Sequence, residues 1–346
     1  MENIALKPSQ AKLALKTAID ARQPIMFYGA PGVGKSAIVA ETAAELGIGL
    51  KDVRVALLDP VDLRGVPSVK DGRTVWNVPE FLPGPKDPER GILFLDELNA
   101  APQMVQAACY QLVRDRRLGE YELPEGWTIV AAGNRESDRA VVSRMPSALR
   151  NRFLNVDFQI DMEDWVQWGL SAGIETSVLA FIRFRPALLH AETAFSQTGG
   201  PKVDWRELRE FPTPRAWEFV SKIVEQKPDA AIEYAMISGC VGSWVAGEFM
   251  GFIKIWRNLP DVDAIIRSPD KEPIPTDPAT LYALMGALAR RATRQNFDRI
   301  VRYITRDEFP KEFAVICVKD ASARDKSLKQ TRAMIEFGVK IQDVII

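Results

Sequence analysis

The residues with the plainest chemical capacity are Gly29-Ala30-Pro31-Gly32-Val33-Gly34-Lys35-Ser36. They fit G-x-x-x-x-G-K-[ST], and their setting fits as well as their letters. The apolar run Ile25–Tyr28 before them predicts a short buried strand, and the Ala- and Val-rich residues 37–46 after them predict a helix. Glycines at 29, 32 and 34 let the backbone turn tightly and aim successive N–H groups into one concavity. At a helix N-terminus such a concavity binds an anion before any side chain contributes. The loop and Ala37, the residue after it, are the candidate phosphate contacts. Lys35 would reach the β- and γ-phosphates, and the Ser36 hydroxyl would sit on Mg²⁺. A glycine-rich turn can also bind nothing. Here the Lys-Ser pair and both flanking elements are present, which implies a nucleoside triphosphate site.

Ile92-Leu93-Phe94-Leu95-Asp96-Glu97 is an apolar run ending in two carboxylates, with Asp96 61 residues after Lys35. Apolar residues bury a strand, so the acids emerge at its C-terminal tip, where open α/β sheets bind ligands. Asp96 would hold Mg²⁺, directly or through water, and Glu97 is placed to orient and deprotonate an attacking water. Residues 129–134 end in Gly133-Asn134, an amide that could bond a γ-phosphate or that water; it could equally be a turn asparagine. Arg150 and Arg152 lie just before a predicted strand. A guanidinium can spread transition-state charge on a phosphoryl group, but a helix dipole also favours arginine at a C-terminus. In Thr213-Pro214-Arg215-Ala216, threonine and proline suit a helix start. Arg215 there opposes the dipole, which a ligand phosphate would explain.

The elements that must hold these groups alternate. Strands are expected at Ile25–Tyr28, 53–58, Gly91–Asp96, 127–132 and 153–158, with helical patterns at 11–21, 37–46 and 102–114. Strands alternating with helices mean a parallel sheet with covered faces. From Met162 onward helical patterns dominate, at 163–172, 213–224, 230–256, 278–294 and from Phe297. A Pro-rich break, 268–278, divides this helical part into two blocks.

At 346 residues the chain is long enough for two domains, and its formal net charge of −1 gives no overall basic field for nucleic acid or anionic membrane. Cys109, Cys240 and Cys317 show no C-x-x-C spacing and read as buried free thiols. The single histidine, His190, reads as a helical surface or packing residue rather than part of a metal site or triad. Residues 234–247 are uncharged but number only 14, with three glycines, too short to span a bilayer and suited to a buried helix. No signal-peptide pattern opens the sequence, so the expectation is a cytoplasmic protein with no membrane insertion. Trp165, Trp168 and the aromatic-basic run 181–186 suit core and snorkelling positions better than base stacking. Asp138-Arg139 is either an interface pair, which its position favours, or a surface ion pair.

In this order the motifs resemble the AAA+ ATPases, and within them the MoxR group of the helix-2-insert clade. Gly29–Ser36 matches Walker A, Asp96-Glu97 Walker B, Asn134 sensor 1 and Arg215 sensor 2. Asn151-Arg152-Phe153 matches the arginine-finger corner, with Arg150 a second candidate. Residues 118–124 look like the hairpin before sensor 1, and the Pro- and Gly-rich residues 59–82 stand in the place of the helix-2 insert. The resemblance covers about residues 5–225 and is general beyond. It implies an α/β fold: a parallel-sheet P-loop NTPase (AAA+) core over 1–160, an all-helical lid over 161–266 and a C-terminal helical extension over 279–346. It further implies a homo-oligomeric, hexameric ring with ATP and Mg²⁺ between subunits. Lys35, Ser36, Asp96, Glu97 and Asn134 would come from one protomer and Arg152 from the next, with Arg215 in reach of either. The implied work is chaperone-like remodelling of a partner bearing a von Willebrand factor A domain. Two competing readings are an ATP-binding scaffold or switch without essential turnover and a DNA-associated helicase or loader, the latter opposed by the absence of a basic helix or appended DNA-binding module. An ABC-type ATPase is set aside because Leu-Ser-Gly-Gly is missing.

Overall fold

The computed structural model describes residues 5–135, 138, 145–197 and 201–341. The chain divides into two compact units between Asp161 and Met162.

The first unit is built on six parallel strands in the order β1-β10-β2-β9-β6-β3. These are β1 (Ala5–Leu6), β2 (Ile25–Tyr28), β3 (Gly49–Arg54), β6 (Gly91–Asp96), β9 (Trp127–Gly133) and β10 (Leu154–Phe158). The central strands β6 and β9 are buried on both faces, which is why they read as continuous apolar runs. Helices α1 (Pro8–Asp20) and α2 (Lys35–Leu46) share one core with one face of the sheet. Helix α4 (Gln103–Asp115) packs into a second core on the other face. With β2 in the middle of the sheet, flanked by β10 and β9, the loop after it opens at the sheet's C-terminal edge.

The expected strand 53–58 lies earlier in the chain. β3 occupies Gly49–Arg54, paired with β6 from Gly49↔Gly91 to Arg54↔Asp96, and Val55–Leu57 coil into a 3₁₀ turn. An edge strand keeps one face half-wet, so its residues need not be an apolar run; the run 53–58 marked the core anchors Val53 and Val55 instead. Residues 59–82 are more than an interrupted helix. After α3 (Pro60–Arg64) the chain forms an antiparallel hairpin of β4 (Val66–Lys70) and β5 (Arg73–Asn77), exposed along both strands. Its turn is Asp71-Gly72, both at positive φ, as a two-residue hairpin turn requires. A second hairpin, β7 (Arg117–Leu118) with β8 (Tyr121–Glu122), stands where residues 118–124 imply one. After it, α5 (Ser147–Arg150) leads into β10.

The second unit is helical: α6 (Met162–Ala172), α7 (Thr176–Phe184), α8 (Ala191–Gln197), α9 (Pro214–Gln226), α10 (Ala230–Val241), α11 (Ser243–Arg257), α12 (Val262–Arg267), α13 (Pro278–Arg291), α14 (Phe297–Ile304), α15 (Lys311–Arg324) and α16 (Arg332–Lys340). The expected helix 230–256 breaks at Gly242, whose φ of 84° suits glycine. Residues 234–247 are accordingly not a buried helix: Tyr234 and Met236 on α10 face outward, while Val245 and Ala246 on α11 are buried. Helix α13, after the Pro-rich stretch, packs on α7 and α11 before it and on α15 after it. Phe181 lies in an aromatic cluster with Trp217, Phe249 and Phe252, and Trp165 is buried beside Trp168, so these rings serve the core. His190 is buried edge-on to Trp205, and its Nδ1 accepts from the Glu192 N–H. Burial pushes the Cys109 thiol up to about 12, and Cys317 is also buried; Cys240 is half-exposed. Among the described residues no helix is long and apolar enough to cross a membrane.

Candidate functional site

The glycine-rich loop leaves β2 at the sheet's C-terminal edge. The Gly29 N–H donates to Gly133 O at 3.2 Å, tying the loop's base to β9. A Cβ at Gly29 would lie 3.1 Å from Phe158 Cβ, so the close approach of β10 favours glycine there. Gly32 and Gly34 hold φ of 76° and 99°, left-handed values that aim the loop back toward α2. Ala30 and Val33 are buried in the core beneath, Pro31 is half-buried, and Ala37 lies exposed in the helix's first turn. The first intrahelical bond of α2 runs from Ile38 N–H to Gly34 O, so the N–H groups before it have no intrahelical partner. Backbone donors and the helix dipole therefore converge on the loop's concavity.

Lys35 is buried and bends across its own loop. Its Nζ donates to Gly29 O (2.6 Å), Ala30 O (3.0 Å) and Asn134 Oδ1 (3.2 Å). Asn134 follows the last residue of β9, so the amide expected from sequence alone stands against the lysine rather than in a remote turn. On the next strand, Asp96 Oδ2 accepts from Ser36 Oγ at 3.0 Å and Asp96 Oδ1 accepts from the Glu97 N–H at 3.0 Å. Glu97 itself is exposed, with φ 57°, an uncommon conformation for a residue with a Cβ. Lys35 with Asn134 and Ser36 with Asp96 thus form two hydrogen-bonded pairs set side by side by the adjacency of Lys35 and Ser36, and Glu97 adjoins the second through the backbone. A hydroxyl and a carboxylate meeting at one point are hard-oxygen donors of the kind Mg²⁺ takes, and the loop fits a phosphate chain.

Arg150 ends α5 and Arg152 follows in the turn to β10, and both side chains are exposed. Leu149 and Phe153 anchor the corner in the core, and Asn155 Nδ2 donates to Arg150 O and Phe153 O. Arg152 lies close enough to Asp115 to help hold that carboxyl below its ordinary range, a shift due first to the hydrogen bond from Arg114. Among the described residues neither arginine is bonded to Lys35, Ser36, Asp96 or Asn134. Arg215 belongs to the helical unit, exposed in the first turn of α9, where the Thr213 hydroxyl accepts from Ala216 N–H. Asp138 accepts from the Arg135 N–H, a local turn bond; Arg139 lies outside the described residues.

Three neighbours carry no motif letter and escape sequence reasoning. Asn99, in the 3₁₀ turn Leu98–Ala100 after Glu97, donates from Nδ2 to Asn134 O at 2.7 Å. Arg135 donates to Phe158 O. Asp52 on β3 has its carboxyl pushed above the ordinary value by desolvation and then by the charge of Asp96. The usable signal for Asn99 was its place three residues past Asp96.

Comparison with known proteins bears on the same residues. The family described as AAA domain (dynein-related subfamily) matches residues 24–153. Midasin of Giardia intestinalis is 32% identical over 202 residues, covering 53% of this chain and 4% of midasin. Protein NorQ of Paracoccus denitrificans is 32% identical over 143 residues, covering 39% of this chain and 52% of NorQ. The chain thus spans about half the length of NorQ and a small part of midasin. Among solved structures, a mutant RuvB of Thermotoga maritima aligns over 81% of this chain and 80% of its own, at 17% identity and a TM-score of 0.38. NtrX of Brucella abortus, in complex with ATP, aligns over 100% of this chain and 70% of its own, at 12% identity and a TM-score of 0.41.

Proposed function

We propose an activity for a chain that belongs to the MoxR-like AAA+ ATPases: Mg²⁺-dependent hydrolysis of ATP by a ring of identical subunits, used to remodel or activate a partner protein. The observation that carries this reading is the pair of adjacent contacts Lys35–Asn134 and Ser36–Asp96 at the mouth of the phosphate loop, with Glu97 beside them. The loop 29–34 and the start of α2 would bind the triphosphate through backbone N–H groups, with Lys35 moving from its own carbonyls to the β- and γ-phosphates. Ser36 and Asp96 would hold Mg²⁺, which when bound neutralises charge on the phosphate oxygens. Glu97 would take a proton from the attacking water, and Asn134 would orient that water or the γ-phosphate. An exposed arginine at the α5–β10 corner, Arg152 or Arg150, would serve a neighbour's site, as would Arg215 from the helical unit. We read residues 161–266 as lid and 279–346 as extension. A hexamer and a partner with a von Willebrand factor A domain complete the reading.

The test is a pair of variants. Glu97→Gln should bind ATP and lose turnover, whereas Lys35→Ala should lose binding. Molar mass measured with and without ATP should show assembly. Wild-type protein without Mg²⁺-dependent hydrolysis at assembling concentrations overturns the motor. If Glu97→Gln supports the captured partner's activity as well as wild type does, the nucleotide serves only as a scaffold.

A further inference from the structure

Asn99 is 4% exposed, bonded through Nδ2 and packed through Oδ1, which has no hydrogen-bond partner among the described residues. Its Nδ2 donates to Asn134 O at 2.7 Å, the donor end facing the carbonyl because a carbonyl can only accept. Its Oδ1 packs against Gly133: a Cβ there would stand 2.3 Å from that oxygen and 2.6 Å from Asn99 Cγ. The turn bearing Asn99 is closed by Ala100 N–H donating to Glu97 O at 2.9 Å. One amide therefore links the turn that follows Asp96-Glu97 to the main chain of Asn134, whose side chain meets Lys35. Neighbouring strand tips have no other need of a buried side-chain amide, since β6 and β9 already pair through Leu95↔Ala131.

We infer that Asn99 is a positioning residue for hydrolysis, fixing Asn134 relative to Glu97 so that the water-orienting amide and the proton acceptor keep one geometry. The inference rests on the hydrolytic reading above. Among the described residues the Asn99 side chain is hydrogen-bonded to neither the phosphate loop nor Ser36 or Asp96, so its loss acts on turnover rather than on affinity. Gly133 is part of the same device, because only a residue without Cβ leaves room for the amide.

The experiment uses the full chain, with steady-state ATPase kinetics and titration by a fluorescent ATP analogue. Asn99→Ala should lower kcat about ten- to a hundredfold, as small misplacement of reacting groups does, with KM and nucleotide affinity unchanged. Gly133→Ala should reproduce that loss by displacing the amide. The double variant should be no worse than Asn99→Ala alone, because the clash partner is gone and the next nearest atom is the flexible tip of Met26, at 2.9 Å. Wild-type kcat in Asn99→Ala, or losses that multiply in the double variant, overturn the assignment. Loss of nucleotide binding together with turnover also overturns it, since Asn99 would then be a general support. A wild-type protein that binds the analogue and never hydrolyses ATP instead sinks the hydrolytic reading, and this inference with it.

Discussion

The Ser36 hydroxyl, from the first turn of α2, donates to Asp96 Oδ2 at the tip of β6 across 3.0 Å. Two oxygens 60 residues apart in sequence thus meet where a strand and a helix N-terminus converge. The contact requires α2 to start at Lys35 and β6 to end at Asp96, which the sheet register secures.

If that meeting point is the metal site, Ser36→Ala and Asp96→Asn should each raise the Mg²⁺ concentration for half-maximal hydrolysis, by about tenfold or more. Asp96→Asn should act more strongly, since it removes a charge as well as an oxygen ligand. A Mg²⁺ titration of the ATPase at saturating nucleotide reads both. Variants with an unchanged Mg²⁺ requirement would place the metal elsewhere.

Asp52 carries a pH signature. Its carboxyl is raised above the ordinary 3.8 by desolvation and by Asp96. The folded chain therefore holds this proton more tightly than the unfolded chain, and stability falls as pH rises through the window from 3.8 upward. Asp52→Asn should raise the melting temperature at pH 7 and lose that advantage below the unfolded value, where both forms are neutral. In an Asp96→Asn background the gain should shrink, because one of the two causes is gone. Thermal melts at several pH values decide it.

The sequence showed the chemistry more clearly than the scaffold around it. Walker-type letters report backbone constraints directly: Gly34 sits at a φ of 99°, and Asp96 ends a strand because the four residues before it are apolar on both faces. β3 was misplaced because an edge strand such as Lys51-Asp52-Val53-Arg54 mixes charges with one buried valine. The hairpin at 66–77 carried an Asp71-Gly72 signal, but its exposed Val66, Val69, Val75 and Trp76 gave no alternation of buried and wet positions. Asn99 stands three residues past Asp96 in the sequence, but what it does there lies in a contact with a residue 35 positions away.

Within the helical unit, Arg183 on α7 pairs with Asp320 on α15, and both side chains are almost wholly buried. Among the described residues Asp320 Oδ1 has no hydrogen-bond partner, and the only other carboxylate near Arg183 is the more exposed Glu163, 3.9 Å from Nε. Asp320→Ala should cost about 3 kcal/mol by leaving a buried guanidinium with only the longer contact to Glu163. Replacing both by apolar residues of similar volume should cost much less. Denaturant unfolding of the full chain, followed by a helical signal, separates the two outcomes; equal losses would mean the pair acts through packing alone.

The exposed corner of Arg150 and Arg152 separates a ring from a self-contained site. Leu149 and Phe153 anchor it while both guanidinia stay at the surface, as a group serving a neighbour must. Arg152→Ala should lower kcat about a thousandfold or more if it is the group that stabilises transferring phosphate. Glu97→Gln should be inactive for a different reason, through loss of the proton acceptor in its own site. Mixed in equal amounts, the two inactive proteins should regain activity. An interface formed by the Glu97 of one variant and the Arg152 of the other is then complete, and random mixing makes about a quarter of them so. The same mixture with Arg150→Ala identifies which arginine acts: the variant that both loses activity alone and recovers it in the mixture is the one. A group acting within its own subunit could not recover in this way, because every Glu97→Gln subunit lacks the acceptor beside its own arginine.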